Sequence, residues 1–298
     1  MDVLSEVLSV MRTGRPRSFL ETWHAPWAVR FPAVPGAVGF RVVVRGGCVV
    51  VPHRGAPVRL EAGDVVLLPH GEGHVLADSP DSAANARPCA PTAVDTDGTG
   101  PVAVTLCGAY ELSPAGTHPL LRDLPEIVHL TTRDCPELKA AVNLLTGELT
   151  RPGLGTDGVI PALLDTLLHY ALRAWLKTNE TGWASAFTDP AVAAALAAMH
   201  REPAHPWTVR SLAALTGLSR APFAKRFTDL TGEPPMRYLT WWRMTTAARL
   251  LRTTDAPLNT VADKVGYRSE FAFATAFKRH YGTPPGKYRR SSRGHAAA

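Results

Sequence analysis

The chain has 298 residues, of which 45% are apolar and 19% are charged, and its formal net charge is +6. This length and composition suit two folded domains and exclude a disordered polymer. No segment approaches the roughly 18 uncharged apolar residues of a membrane-spanning helix, and the first residues are acidic where a secretion signal is basic, so we expect a cytoplasmic protein.

The charge is distributed unevenly along the chain. Residues 1–184 contain 15 Lys and Arg against 19 Asp and Glu, whereas residues 189–298 contain 17 against 7. A basic C-terminal third behind a mildly acidic body is typical of a protein that binds the phosphate groups of a nucleic acid.

Short valine-rich runs with turn residues between them characterise the N-terminal part of the chain. Examples are Gly39–Val44, Cys48–Val51 and Val65–Leu68, each bounded by Gly or Pro. Such runs are typical of strands joined by tight turns. We therefore predict an antiparallel β-barrel for residues 1–135.

Two histidines follow one of these strands. Gly63-Asp64 leads through Pro69-His70-Gly71 to His74, a spacing similar to that of the second motif of cupin barrels. Together with Leu60 and the run Cys107–Tyr110, these residues resemble a cupin-type sensor domain. The resemblance implies a barrel that binds an effector.

The metal site of cupin enzymes is incomplete in this sequence. Such enzymes hold a metal with two histidines and a glutamate from a first motif, plus the histidine of the second, and the strand of the first motif here reads Phe40–Arg45. His74 could still bind a metal with His70 and His53, since imidazole is a common ligand. We favour the alternative that His74 is a barrel histidine with backbone partners, and we expect no metal and no cofactor.

The segment Ser79–Pro101 is polar and rich in proline, and we predict a long flexible loop. It contains Cys89 beside Arg87, whose charge would lower the pKa of the thiol and make it a redox sensor. The alternative is that the cysteines are inert. None of them forms a Cys-x-x-Cys pair, which disfavours a zinc site or a disulfide scaffold. The candidate sensor residues are therefore His74, Cys89 and Cys107.

Two helical patterns follow between Glu137 and Lys177. Their apolar stripes are spaced as on one face of a helix, and they pair either with each other or with a second copy of the protein. We predict a helical linker over residues 136–184 and a homodimer through the Pro161–Lys177 helix. The two stripes are Leu138, Val142, Leu145 and Leu149, and Leu163, Leu167, Tyr170, Ala171 and Trp175.

An internal repeat fixes the organisation of residues 189–290. Six residues of the first copy recur 50 positions later: Phe223, Phe227, Gly232, Pro234, Pro235 and Tyr238 become Phe273, Phe277, Gly282, Pro284, Pro285 and Tyr288. Upstream, Leu212, Ala213 and Gly217 recur as Val261, Ala262 and Gly266 at a spacing of 49. Each copy predicts a helix, a tight glycine turn and a second helix, and these repeated residues form its core.

Capping residues mark where the helices begin and end. Thr208 and Ser219 are placed to cap the two helices of the first copy, and Ser269 the second helix of the other. A helix is also predicted from Asp189 to His200, and another from Met236 to Thr253 between the copies.

Helical periodicity identifies the outward face of each second helix. If the repeated phenylalanines point inward, Ala221, Lys225 and Thr228 point outward in the first copy, and Phe271, Thr275 and Lys278 in the second. The central outward residues are placed to read bases. Contacts to the DNA backbone are expected from Arg220, Arg226, Thr228, Arg268, Lys278 and Arg279.

These residues resemble the AraC/XylS family of transcription regulators. The first unit is similar over Trp207–Ala213 and Leu218–Phe227, and the second over Val261–Glu270 and Phe277–Pro285. The resemblance implies two recognition helices in successive major grooves, with Ala221, Lys225, Phe271 and Thr275 at the base-reading positions. A cupin-type sensor precedes this domain in some members.

One departure concerns the second unit. Similar members often carry an arginine where this chain has Thr275 and a small residue where it has Phe271. A bidentate arginine–guanine contact contributes about 1–3 kcal/mol of discrimination, and threonine cannot make it. We therefore expect the second unit to read sequence weakly.

The fold class that follows is α+β with several domains: a cupin-like β-barrel, a helical linker and an all-α domain with two helix-turn-helix units. The expected function is sequence-specific regulation of transcription in response to a small molecule or a redox signal. The partners are double-stranded DNA, a small-molecule effector and, for an activator, RNA polymerase. The alternatives are a metal-dependent cupin enzyme with an accessory nucleic-acid-binding domain and a structural nucleoid protein. We expect that the protein is not an enzyme, because its sequence contains no known catalytic motif.

Overall fold

The structure is a computed structural model that describes residues 2–11, 16–89, 100–112 and 117–294. The chain divides into two compact units. One contains the described residues of Gly14–Leu112 and Leu124–Thr178, and the other those of Met1–Thr13, Ser113–Asp123 and Asn179–Ala298. Among these residues, no helix is both long and apolar enough to cross a bilayer.

The first unit is a pair of five-stranded sheets with a helical hairpin. Its strands are β1 (Arg17–His24), β2 (Ala28–Phe31), β3 (Ala37–Arg45), β4 (Gly47–Pro52), β5 (Val58–Glu61), β6 (Asp64–Leu68), β7 (His74–Ala77), β8 (Arg87–Pro88), β9 (Val102–Glu111) and β10 (Val128–Thr131). The sheet orders are β1-β9-β3-β6-β10 and β5-β4-β7-β2-β8. All these pairs are antiparallel except β2 with β8.

The predicted strands are present, but within the described part of the chain they form two sheets and not one closed barrel. The chain passes from one sheet to the other at Gly46, between β3 and β4. Its φ is +75°, and a Cβ there would lie 2.5 Å from the carbonyl oxygen of Val102. Only glycine fits this corner. The buried apolar cluster contains Trp23 and Val66 from one sheet and Val50 and Leu76 from the other, so the sheets pack face to face.

The segment predicted as a long loop contains two short elements. Helix α2 (Pro80–Ala83) is capped by Ser79, and β8 follows it. The backbone N–H of Cys89 donates to the carbonyl oxygen of Arg30 at 2.8 Å. Pairing with β2 therefore orders this segment as far as residue 89, and residues 90–99 of the predicted loop lie outside the described residues.

The helical hairpin consists of α4 (Pro136–Thr150) and α5 (Thr156–Thr178), which pack against each other. The predicted stripes are largely buried in this contact, including Leu138 and Leu145 of α4 and Leu167 and Ala171 of α5. Of the two pairings that the sequence allowed, pairing within the chain is therefore present. Helix α5 begins before Pro161, which lies inside it.

The second unit is entirely helical among its described residues. Its helices are α1 (Val3–Met11), α3 (Pro119–Asp123), α6 (Gly182–Thr188), α7 (Pro190–Arg201), α8 (Val209–Leu215), α9 (Arg220–Thr231), α10 (Pro235–Thr253), α11 (Leu258–Lys264), α12 (Glu270–Tyr281) and α13 (Pro285–Gly294). The predicted helices of the repeat are α8, α9, α11 and α12, and α10 connects the two copies. Helices α1 and α3 join this unit, although the sequence analysis assigned both to the sensor domain.

The two copies of the repeat close their turns with equivalent hydrogen bonds. The N–H of Leu218 donates to the carbonyl oxygen of Ala213 at 3.2 Å, and the N–H of Tyr267 donates to that of Ala262 at 2.9 Å. Helices α9 and α12 each have 12 residues and end at a glycine with a φ of 72°. The repeat in the sequence is therefore a repeat in the backbone.

The predicted caps are present with one exception. Thr208 forms a capping box with Ser211, Asp189 accepts from two N–H groups of α7, and Ser269 accepts from the N–H of Ala272. Ser219 begins α9 but makes no capping hydrogen bond through its side chain.

A buried chain of polar side chains holds α1 and α3 in the helical unit. The N–H of Leu120 donates to Nδ1 of His118 (2.9 Å), so the ring proton of His118 lies on Nε2 and is donated to the Tyr238 hydroxyl at 3.1 Å. Tyr238 in turn donates to Nε2 of His200 at 2.6 Å, and Nδ1 of His200 donates to Glu6 at 3.1 Å. Burial lowers the pKa of His200 to about 3, so this ring is neutral at physiological pH.

Candidate functional sites

The residues predicted to form the cores of the two helix-turn-helix units lie where the sequence analysis placed them. The eight predicted apolar core residues are buried, and the two predicted glycines have φ values of 70° and 79°. The buried residues are Leu212, Ala213, Phe223, Phe227, Val261, Ala262, Phe273 and Phe277, and the glycines are Gly217 and Gly266.

Burying these phenylalanines turns the opposite faces of α9 and α12 toward solvent. Ala221 and Lys225 are exposed on α9, and Phe271 and Thr275 are exposed on α12. Phe271 is 82% exposed in the first turn of its helix. A bulky apolar side chain kept in water by the fold is available to a partner.

The residues expected to contact the DNA backbone differ in the partners that they already have within the protein. Arg220, Arg268, Lys278 and Arg279 are exposed, whereas Thr228 is half-buried and its hydroxyl donates to the carbonyl oxygen of Ala224 at 2.8 Å. A hydroxyl that already donates to a carbonyl oxygen of its own helix is less available to a phosphate.

Two basic residues of α9 are paired with carboxylates. Nζ of Lys225 lies 2.6 Å from Asp229 in an exposed i,i+4 pair. Arg226 binds Asp189, with Nε at 2.6 Å from the carboxylate. Asp189 is buried and also caps α7. The Arg226 guanidinium therefore joins α9 to α7, a role that periodicity did not indicate.

A cavity of about 310 Å³ lies in the sheet unit. Its wall is mostly apolar and includes Phe31, Pro32, Val34 and Leu68. Arg41 of β3 also lines it and is only 5% exposed, with its guanidinium carbon 4.1 Å from the centre of the Phe31 ring.

His74 lines the same cavity, and its ring stacks on Phe31 with the centroids 4.8 Å apart. Burial, together with the charge of Arg41, lowers the pKa of His74 to about 2. Its Nε2 has no hydrogen-bond partner among the described residues, so the expectation of backbone partners fails for this atom. His70 is bonded through Nε2 to the carbonyl oxygen of Leu124, and His53 is exposed. In the described part of the chain, no three potential metal ligands cluster.

Three cysteines of this unit have a raised pKa, which is the opposite of the shift expected for Cys89. Burial, and next the charge of Glu21, raises the pKa of the Cys89 thiol, and Arg87 does not lower it. Burial also raises the pKa of Cys107, and it raises that of Cys48 to about 12. A thiol with a raised pKa carries little reactive thiolate, so the described residues around Cys89 provide no electrostatic basis for the expected redox sensor.

Comparison with known proteins gives matches along the whole chain. A family model described as Cupin matches residues 2–177, and one described as Helix-turn-helix domain matches residues 212–291. Putative AraC-like transcription regulators of Streptomyces lividans and Streptomyces antibioticus are each 35% identical to this chain, with 97% of this chain and 98% and 99% of the relatives covered. The chain belongs to the AraC-like transcription regulators.

One solved structure is similar in sequence to the C-terminal part of the chain. The DNA-binding domain of AdpA, determined in complex with a target DNA, is 36% identical to this AraC-like regulator and covers 36% of the chain and 96% of that domain, with a TM-score of 0.35. The expected resemblance and fold class are confirmed: a β-rich cupin domain precedes a helical domain with two helix-turn-helix units. The AraC-like chain is a DNA-binding transcription regulator.

Sequence reasoning passed over Arg41, although a signal was present. Gly39, Arg41 and Val43 occupy alternate positions of β3, and one face of such a strand points into the protein. A single arginine on an inward face of valines and glycines is the kind of buried charge that calls for a partner. In the prediction, this strand served only as the one that lacks the metal ligands of the first cupin motif.

Proposed function

We propose that this AraC-like regulator reads its operator with the exposed faces of α9 and α12, and that a small molecule in the cavity of the sheet unit changes its affinity for DNA. The regulator acts in the cytoplasm, without a cofactor and without catalysis. Where it activates a promoter, RNA polymerase is its partner.

The duplicated geometry of the helical unit supports the DNA-reading part of this proposal. Two helices of equal length, each preceded by an equivalent glycine turn, present a basic and partly apolar face to solvent. Major-groove recognition requires an exposed helix face whose central residues reach base edges and whose flanks reach phosphates. Ala221 and Lys225 occupy the central positions in α9, and Phe271 and Thr275 occupy them in α12.

The test is a genome-wide selection of DNA fragments bound by the full-length chain and by a Lys225→Ala variant. We expect a motif with two half-sites about 10 base pairs apart, and loss of information in one half-site with the variant. Arg201→Ala is the matched control, because Arg201 is an exposed basic residue in the last turn of α7, outside α9 and α12, and, like Lys225, it pairs with a carboxylate on the protein surface. Enrichment without a motif, unchanged by Lys225→Ala, would contradict base reading and leave a nonspecific phosphate-binding protein.

The effector part of the proposal is supported by the cavity, which is apolar with a few polar groups, as ligand sites usually are. A ligand alters DNA binding only if it binds two states of the protein with different affinity. Measurement of bound metal on the purified protein separates this proposal from a metal-dependent cupin enzyme, which would retain one equivalent.

We further propose a homodimer that uses α5 and the adjoining surface of α4. Leu144 of α4 and Val159 of α5 are apolar and are 61% and 40% exposed, so both are available for contact with a second copy. Sedimentation at micromolar concentration should give a dimer, and Val159→Glu should shift it toward monomer. A monomeric wild-type chain would refute the dimer.

A further inference from the structure

We propose that the ligand of the cavity is an organic monoanion, a carboxylate on a small apolar body, and that Arg41 binds its charged group. This inference rests on the proposed role of the cavity as the effector site, and it adds the chemical class of the ligand.

The guanidinium of Arg41 is buried and incompletely bonded. Nη1 donates to the carbonyl oxygen of Phe40 at 2.8 Å, whereas Nε has no partner within the described residues. In the same part of the chain, no carboxylate lies close enough to form an ion pair with it. Burying a charge without a partner is costly, and arginine remains charged in proteins. An anion in the cavity would remove this cost.

The position of Arg41 suits a carboxylate better than a neutral ligand. Its guanidinium lies against the Phe31 ring, an arrangement in which the ring contacts the face of a planar cation. The edges of the guanidinium, where the N–H groups lie, remain for an acceptor. Two parallel N–H groups match the two oxygens of a carboxylate, and such charge-assisted pairs are about twice as strong as neutral ones.

The acidic residues near the cavity do not serve as counter-ions. Glu21 forms no ion pair with Arg41, although burial raises its pKa and the nearby charge of Arg41 lowers it, and its buried Oε2 has no hydrogen-bond partner among the described residues. Glu126 accepts from the N–H of Arg54 at 2.6 Å, and Glu72 is exposed. No carboxylate of the described residues therefore forms an ion pair with Arg41.

The rest of the wall determines the size and polarity of the ligand. His74 is neutral and has an unpartnered Nε2, so it offers one uncharged hydrogen-bonding group beside Phe31. Phe31, Pro32, Val34 and Leu68 offer apolar contact. A cavity of about 310 Å³ has room for about ten waters at ~30 Å³ each. This space suits an acid of about ten non-hydrogen atoms.

The experiment compares acids with their uncharged amides on the full-length protein. Octanoate and phenylacetate are the probes, and octanamide and phenylacetamide match them in size and shape. Calorimetric titration should give binding of at least one acid, with its amide about tenfold or more weaker. Arg41→Gln should remove the preference for the acid, and Arg45→Gln should not, because Arg45 is an exposed arginine of the same strand.

The outcomes separate this inference from the proposed function. Equal binding of acid and amide, unaffected by Arg41→Gln, would overturn the anion class while leaving an effector site. Failure of both acids to bind the wild-type chain would also overturn it. Acid binding that leaves the affinity for the selected operator unchanged would support the anion site and contradict effector sensing. If Arg41→Gln does not fold, the comparison of acid with amide on the wild type still decides.

Discussion

Phe271 is an aromatic residue that the fold holds in water at the start of a recognition helix. Its counterpart in α9 is Ala221, so the two copies of the repeat differ in side-chain size at this outward position. Aromatic side chains can contact the methyl group of thymine in the major groove. Under the proposed function, the weak reading of sequence expected for the second unit would depend on apolar contact by Phe271.

We expect Phe271→Ala to weaken operator binding by about 1 kcal/mol, roughly fivefold, because an apolar contact with one base pair is lost. The stability of the protein should change little, since this side chain is 82% exposed. Fluorescence polarisation with an operator fragment measures the affinity, and thermal unfolding measures the stability. Leu154→Ala is the control, because Leu154 is an exposed apolar residue of the sheet unit. An unchanged affinity would show that Phe271 does not contact DNA.

Arg226 and Arg220 lie on the same helix but are expected to act differently. Arg226→Ala should destabilise the protein by about 1 kcal/mol or less, because it removes the ion pair with buried Asp189. Arg220→Ala should leave stability unchanged and reduce the slope of log affinity against log salt by about 0.9, the value for one phosphate contact. Urea unfolding and salt titrations check both. An equal loss of salt slope in the two variants would mean that Arg226 leaves Asp189 to bind a phosphate.

At the scale of secondary structure, both copies of the repeat contain the same glycine turn. Gly217 has a φ of +70°, and a Cβ there would meet no atom within 4 Å. Alanine at this position is disfavoured by its backbone conformation alone, which costs about 1–2 kcal/mol.

Gly217→Ala should therefore lower the free energy of unfolding of the helical unit by about 1–2 kcal/mol. Gly147→Ala is the matched control, because Gly147 also has open space around it but lies inside α4. There, alanine should stabilise by about 1 kcal/mol. Urea unfolding followed by circular dichroism measures both. Changes of the same sign would mean that the turn does not require a positive φ.

The elements that the sequence predicted well are those whose signals are local. Caps, glycine turns and apolar stripes are local signals, and they placed α7 to α12 close to their observed bounds. Strand β8 was missed because pairing with β2, rather than its own residues, orders it. Helix α2 was missed although Ser79 caps it, because it has only four residues. The division into two sheets depends on a corner at Gly46 that is visible only once Val102 lies beside it. The cavity was missed for the same reason, since alternation in β3 does not show whether the space beside Arg41 is filled.

At the scale of the whole molecule, buried neutral histidines link stability to pH. The folded pKa values of His200 and His74 are about 3 and about 2, below the ordinary value of 6.5. Between those values the unfolded chain binds more protons than the folded one, so stability falls as pH decreases below about 6.5. The stability that depends on the neutral histidines is fully present above that pH.

We expect the urea midpoint to fall between pH 7 and pH 5, with a contribution from His200 of up to about 1.4 kcal/mol per pH unit. His200→Gln removes this group and should flatten the dependence, although it lowers stability at pH 7. His53→Gln, at an exposed position, is the control. An unchanged slope in His200→Gln would show that this ring is not buried in its neutral form.

The helical unit is built from separate segments of the chain, so α1 is synthesised long before the helices that it contacts. Helix α1 buries Val7 and Leu8 in contacts with α7 and α10, which leave the ribosome much later. At about 5–20 residues per second, the first helix waits on the order of ten seconds or more for its partners. A product that stops after the sheet unit leaves that apolar face uncovered, and a fusion joined ahead of α1 attaches to the DNA-binding unit.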